Sequence, residues 1–296
     1  MNELRKRLFD KRFLTEVAIA VIYAIINGLF LRKLSAFLQK TASSPQAGNV
    51  LAVFIEYLVL VGFLAAIYAV ETPELRRSLF TPFSVLILIV TLKYMLKWFY
   101  IGASAFPGKL PKLNSSLPWL EIMAFLNISY IPVLIASLQI SKIVSEDKEK
   151  PFYALLIFNF TFTAVYLFVL SPIIVRNQAH LNTSLIIFYQ FVFYLAVYFL
   201  FAFSPYFVSS GEFWKRLIKS FSYAFRRFFL VLFFSALVVF IVYILPFGIY
   251  QTGYGTSSYA VYVASKWAIV LFSAVTYYVF PAYFIVMSVK AKEDGQ

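Results

Sequence analysis

Three ionisable side chains fall where hydrocarbon is expected. Glu56, Lys93 and Lys97 interrupt stretches that are otherwise apolar enough to cross a bilayer, and a charge at such depth costs about 2–3 kcal/mol unless it meets a partner or water. Counting residues from the ends of their spans puts Glu56 and Lys93 at nearly the same depth, which predicts an ion pair between them. Lys97 and Glu121 match at a shallower level, and Asn27, Asn127 and Gln190 fall in the same half of the bilayer. Brought together, Glu56, Lys93, Lys97, Glu121, Asn127 and Gln190 would line a polar cavity for a small solute, an ion or a headgroup. Held apart, they would be interhelical hydrogen bonds and snorkelling lysines. Asn159 falls in the opposite half as a neighbour-binding amide, and Glu16 is close enough to the end of its span to reach the interface.

Reaction chemistry is poorly supplied. The chain has no Cys and a single His, His180, so thiolate nucleophiles, iron–sulfur ligation and haem ligation across helices are excluded and a zinc site is disfavoured. Asp10, Asp147 and Asp294 are the only aspartates and none lies in a span. No zinc-protease, serine-hydrolase, nucleotide-loop or aspartate-rich motif occurs. Glu56, Lys93 and Glu121 are the candidates for acid–base work, but they lack a His or metal beside them. The expectation is a protein without catalytic, metal or cofactor sites.

Eight apolar segments must position these groups: 13–31, 49–70, 80–101, 119–140, 152–174, 184–207, 228–250 and 264–288. About 20 helical residues cross a hydrocarbon core, and runs that are continuous rather than alternating predict helices, not a barrel. Hydrophobic residues make up 62% and charged ones 13% of the 296, against roughly 45–50% and 25% in soluble domains. The fold class is therefore all-α, a polytopic membrane bundle of about eight spans in a single domain, 1–296. The segment 13–31 is too long for a signal core and runs into Arg32 and Lys33 with no small-residue cleavage site, so it reads as an uncleaved span. Lys93 and Lys97 leave open a third span that ends near residue 92, with 93–101 turning along the interface. Segments 32–48 and 102–118 carry turn and coil signals. Pro132, Pro246 and Pro281 lie within spans and predict kinks.

The charges set the orientation. Of the 26 Lys and Arg residues, 17 fall on one side if the N-terminus is inside, and 9 on the other, so both termini are expected to be cytoplasmic, in the cell membrane. The formal charge of +13 is spread beside spans, which favours anionic lipid headgroups over nucleic acid as the partner. Residues 209–227 gather Trp214, Leu217, Ile218, Phe221 and Phe225 on one face and Lys215, Arg216, Lys219, Arg226 and Arg227 opposite. An interfacial helix touching lipid headgroups through those five cations fits this pattern. Ser209 and Glu212 stand in capping-box spacing at its start. Residues 1–12 form a weaker amphipathic helix on the same side.

From the N-terminus to about residue 205 the chain resembles the Yip-domain membrane family. The resemblance rests on Phe9-Asp10-Lys11-Arg12-Phe13 before the first span, a loop with Gly108, Ser129-Tyr130-Ile131-Pro132 within a span, and two later spans parted by a short polar loop at 175–183. Residues 203–250, opening with Phe203-Ser204-Pro205-Tyr206-Phe207, resemble the YciC-like membrane proteins. The first resemblance implies a multi-pass helical protein of the kind that acts in membrane traffic; neither carries over a catalytic residue. The expected function is non-enzymatic: a membrane-organising or accessory protein bound to anionic lipid, with another membrane protein as a candidate partner. The alternatives are a permease or channel component using the polar cavity and, last, a membrane-embedded lipid-modifying enzyme.

Overall fold

In the computed structural model, residues 2–42, 44–105, 129–144, 146–170, 172–173, 183–254 and 259–294 are described. Seven helical stretches are long and apolar enough to cross a membrane: Lys11–Thr41, Ala47–Ala69, Phe80–Trp98, Lys150–Leu170, Ser184–Phe207, Phe228–Ile249 and Val263–Glu293. Among the described residues there is no strand. The protein is thus an all-α bundle with the architecture of a multi-pass membrane protein. Of the expected fourth span, 119–140, the part before residue 129 lies outside the described residues.

Helix α1 (Asn2–Leu8) turns at Asp10, whose carboxylate accepts from the Arg12 backbone N–H at 3.2 Å and caps α2 (Lys11–Ile25). The helix continues through a wide turn, Ile26–Leu31, into α3 (Arg32–Thr41). Residues 32–41 are therefore not the coil expected from their composition. A β-carbon at Gly28 would come within 2.6 Å of Val270 Cγ2, so the wide turn passes close to the last helix at a point where only glycine fits without a shift. Ser44 accepts from the Ala47 N–H at 3.1 Å and Pro45 occupies the first turn of α4 (Pro45–Ala69). Pro belongs there because that N–H has no helical acceptor.

After the short α5 (Pro73–Ser78), capped by Thr72, α6 runs unbroken over Phe80–Ala105. Lys93 and Lys97 do not end the third span. Its pairing with α4 is held by Tyr68 stacked on Phe83, Phe54 stacked on Trp98, and Tyr57 hydrogen-bonded to Thr91 at 3.1 Å. Helix α7 (Tyr130–Ser141) is buried along its whole length. Pro132 falls in its first turn rather than mid-helix, and no kink follows there.

Helix α8 (Lys150–Ala164), extended by a wide turn at Val165–Leu170, packs against α9 (Thr183–Phe201) and the short α10 (Ser204–Phe207), and its rings meet Tyr243 in the wide turn Phe240–Ile244 that follows α12 (Phe228–Val239) and Phe280 and Phe284 of α14 (Tyr259–Glu293). Helix α13 is Leu245–Tyr254, so Pro246 follows the wide turn, where the missing N–H is already accommodated. Phe158, Phe162, Tyr194, Tyr198, Tyr243, Phe280 and Phe284 fill this half with rings in edge-on, tilted and, for Phe162 on Tyr194, stacked contact. Large apolar side chains on the outer surface, such as Phe30, Leu88, Phe168 and Phe229, are exposed, as spans in lipid require.

The first and last described helical turns lie at one end of the bundle, here termed the base. Lys292 Nζ donates to Glu3 Oε1 at 3.0 Å, and Asp294 meets Arg227 at 2.8 Å. The base also collects 71–79 and 142–150 through Arg12 with Glu71, the Arg7 guanidinium on the Lys142 carbonyl at 3.2 Å, and the Lys150 ammonium on the Gly211 carbonyl at 3.1 Å. These five segments hold the 17 cations assigned to one side from sequence.

Candidate functional site: two intramembrane polar clusters and a three-sided helix

The first cluster lies roughly 20 Å from the base, at 1.5 Å per helical residue. Lys97 Nζ donates to Glu56 Oε2 at 2.7 Å. Lys93, one turn nearer the base, holds its ammonium 5.2 Å from the Tyr130 ring centroid and 5.8 Å from that of Tyr94. The expected Glu56–Lys93 pair is thus replaced by Glu56–Lys97. The cause is geometric. The aromatic contacts between α4 and α6 set Glu56 opposite Met95 and Leu96, and side chains lean toward the N-terminus of their own helix. In this antiparallel pair Glu56 leans away from the base and the lysines toward it, so Glu56 meets Lys97.

These groups line a cavity of about 470 Å³ among α2, α4, α6, α7 and α14, together with Tyr23, Tyr94, Tyr130 and Tyr277. Asn27 reaches it from the wide turn at Ile26–Leu31, and Ser129, Ser273 and Thr276 add hydroxyls. The Ser129 N–H donates to Asn159 Oδ1 at 3.4 Å, so Asn159 binds a neighbouring helix as expected. Gln190 does not join the cluster: it sits on α9, which packs on α8, α12 and the helix α11 (Phe213–Arg226). Glu121 and Asn127 lie outside the described residues, as does His180.

The second cluster, near the base, is one that sequence reasoning passed over. Glu16 on α2, Glu71 after α4 and Gln139 on α7 are all buried. Gln139 Nε2 donates to Glu16 Oε2 at 2.6 Å and to Glu71 Oε1 at 3.3 Å, while Gln139 Oε1 accepts from Lys142 Nζ at 3.1 Å. Lys142 also pairs with Glu71 and lies 3.8 Å from Asp10, and Arg12 lies 3.9 Å from Glu71. Glu16 is fully buried, so it does not reach the interface as expected. Glu71 was masked in the sequence by its position just past a span, where a carboxylate is ordinary.

Helix α11 (Phe213–Arg226) presents three faces rather than two. Leu217, Ser220, Tyr223 and Ala224 are buried against the bundle, whereas Trp214, Ile218 and Phe225 are exposed and face outward. Leu217 therefore leaves the expected apolar stripe for the core. Of the five expected headgroup cations, Lys215 pairs with Glu212 at 2.9 Å, Arg227 with Asp294, and Lys219 stands 5.7 Å from the Phe207 ring. Arg226 is exposed on the same flank as Lys215 and Lys219, while Arg216 turns toward Gly211. The anticipated capping box does not form: the helix starts after Glu212 without a side-chain cap, and Ser209 Oγ donates to the Tyr206 carbonyl instead. Gly211 makes the sharp entry possible, with a φ of 93° that favours glycine. Burial and the hydrogen bond to Asp294 raise the Tyr223 phenol above its ordinary range.

Among the described residues no group of three or more His, Asp and Glu is placed to hold a metal ion. Comparison with known proteins finds no matching family model, no matching curated protein and no matching solved structure.

Proposed function

We propose that this chain is a non-enzymatic multi-pass membrane protein that holds a small polar molecule, a solute or a lipid headgroup, in the cavity between α2, α4, α6, α7 and α14. One observation carries the reading: Glu56, Lys93 and Lys97 line one polar cavity inside an apolar bundle. Among the described residues the lining carries two ammonium groups and one carboxylate, so it offers charge of both signs. The hydroxyls and Asn27 offer neutral hydrogen bonds that fix orientation without adding charge. This supports a permease or receptor-like role over structural packing alone, since packing would close the space around a single ion pair.

A second reading, association with anionic lipid at the base, is supported by the three faces of α11. Its outward apolar side would enter the acyl boundary while Lys215, Lys219 and Arg226 meet phosphates. The 17 cations gathered at the base favour a cytoplasmic base by the positive-inside bias, and the cell membrane is the expected location. The resemblances to the Yip-domain and YciC-like families accord with a membrane-organising role of this kind.

The cavity reading is tested by native mass spectrometry of the protein released from its own membrane. The expected outcome is a bound small molecule or lipid that is lost when Lys93→Met and Lys97→Met are combined with Glu56→Gln. A wild-type protein that carries nothing and gains no stability from phosphate, carboxylate or phospholipid ligands would refute it.

A further inference from the structure

The base cluster contains a shortage of donors. Glu16 and Glu71 are 0% and 3% exposed, and both accept from the single Nε2 of Gln139. That amide cannot be turned to give more, because Gln139 Oε1 faces the Lys142 ammonium, which an NH2 group could not accept. The cations favour one partner only. Lys142 and Arg12 address Glu71, and no ammonium or guanidinium lies within salt-bridge distance of Glu16 among the described residues.

Glu16 Oε1 and Glu71 Oε2 are buried with no hydrogen-bond donor, and the other oxygen of each accepts from the same Gln139 Nε2, so the two carboxyls are gathered in one closed space. Two carboxylates gathered on one donor are both acceptors and repel unless one of them carries a proton. An ionised carboxylate fully out of water and without a cation is the arrangement that proteins avoid.

We propose that Glu16 and Glu71 form a proton-binding site that holds one proton, residing on Glu16. Bound, the proton turns a repelling pair of acceptors into a donor and an acceptor and leaves the single negative charge on the residue that Lys142 and Arg12 already face. Released, it leaves a second carboxylate in the same closed space. The charged groups around the pair are Asp10 and Arg7 at the α1–α2 junction, Arg12 on α2, and Lys142 at the end of α7. Helix α14 packs along α2 through Tyr278 on Phe13, and its Lys290 and Lys292 are engaged with Glu293 and Glu3. The pair thus joins α2, α4 and α7 at one point, and its proton occupancy bears on whether the three stay together.

The test is infrared spectroscopy of the full-length protein in lipid nanodiscs at neutral pH. A protonated-carboxyl C=O band that shifts in deuterated water is expected in the wild type and is expected to be absent from Glu16→Gln, whose amide supplies the same donor without a titratable proton. No such band in the wild type, or a band unchanged in Glu16→Gln, would overturn the proposal. Should Glu16→Gln not fold, wild-type protein carrying carboxyl-labelled glutamate decides the matter. The band must then move with the label and persist to more alkaline pH than an ordinary glutamic acid, and failure of either overturns it.

Discussion

Lys97 reaches Glu56 at 2.7 Å from a position one helical turn beyond Lys93, so the ion pair between α4 and α6 joins residues whose backbones are offset along the bundle rather than level. Removing one partner strands the other charge in an apolar wall, while removing both strands nothing. Glu56→Gln and Lys97→Met should each lower thermal stability, and the double variant should recover about 1 kcal/mol of the summed loss. Lys93→Met combined with Glu56→Gln should be closer to additive. A larger coupling for Lys93 than for Lys97 in that double-mutant cycle would contradict the pairing.

A heavier penalty is expected at the base. Lys142 touches Glu71, Gln139 and Asp10 together, and Glu71 is almost wholly buried. Lys142→Met should cost about 3–5 kcal/mol, the range for leaving a buried charge without its partner. Lys142→Met joined to Glu71→Gln should cost markedly less. Unfolding midpoints in one detergent measure both, and equal losses for the single and double variants would refute the dependence.

The helical class, the length of the spans and the grouping of cations were legible in the sequence because each follows from local composition. Apolar runs of about 20 residues need no tertiary information to be read as helices. The base cluster was not legible, because Glu16, Glu71 and Gln139 are far apart in sequence and each taken singly looks like an ordinary residue near a span end. The partner of Glu56 was misjudged for a subtler reason. Depth counted from span ends ignores the tilt of side chains toward the helix N-terminus, and in antiparallel helices the two tilts oppose each other. Residues 32–41 were misread because polar composition speaks against a buried helix but not against an amphipathic one, and α3 is held to α4 by close packing at Gly48.

The junction of the termini should respond to acid. The hydrogen bond from Lys292 lowers the Glu3 carboxyl below its ordinary range. A carboxyl depressed in the folded state adds stability that is full above its unfolded value and is lost as pH falls through the lowered one. The Glu3 side chain is 38% exposed, so solvent screening limits the contribution to a few tenths of a kcal/mol at most. Hydrogen exchange over residues 2–8 should therefore quicken as pH falls below that range, after correction for the intrinsic rate, and Lys292→Gln should remove the dependence. An unchanged acid response in Lys292→Gln would count against the contact.

Helix α11 offers the sharpest separation between its faces. Trp214, Ile218 and Phe225 point outward while Tyr223 and Leu217 face the core, so Ile218→Gln and Leu217→Gln place the same polar group on opposite sides of one helix. Leu217→Gln should cost about 2–4 kcal/mol in any detergent, because it buries an amide in a packed core. Ile218→Gln should leave detergent stability nearly unchanged but weaken retention of anionic phospholipid through delipidation, followed by mass spectrometry. Lys219→Gln and Arg226→Gln should weaken that retention by up to about 1 kcal/mol each, and only for anionic lipid. Equal loss of neutral lipid in the charge variants, or a core-like penalty for Ile218→Gln, would mean that the exposed face of α11 packs on protein rather than lying in the membrane surface.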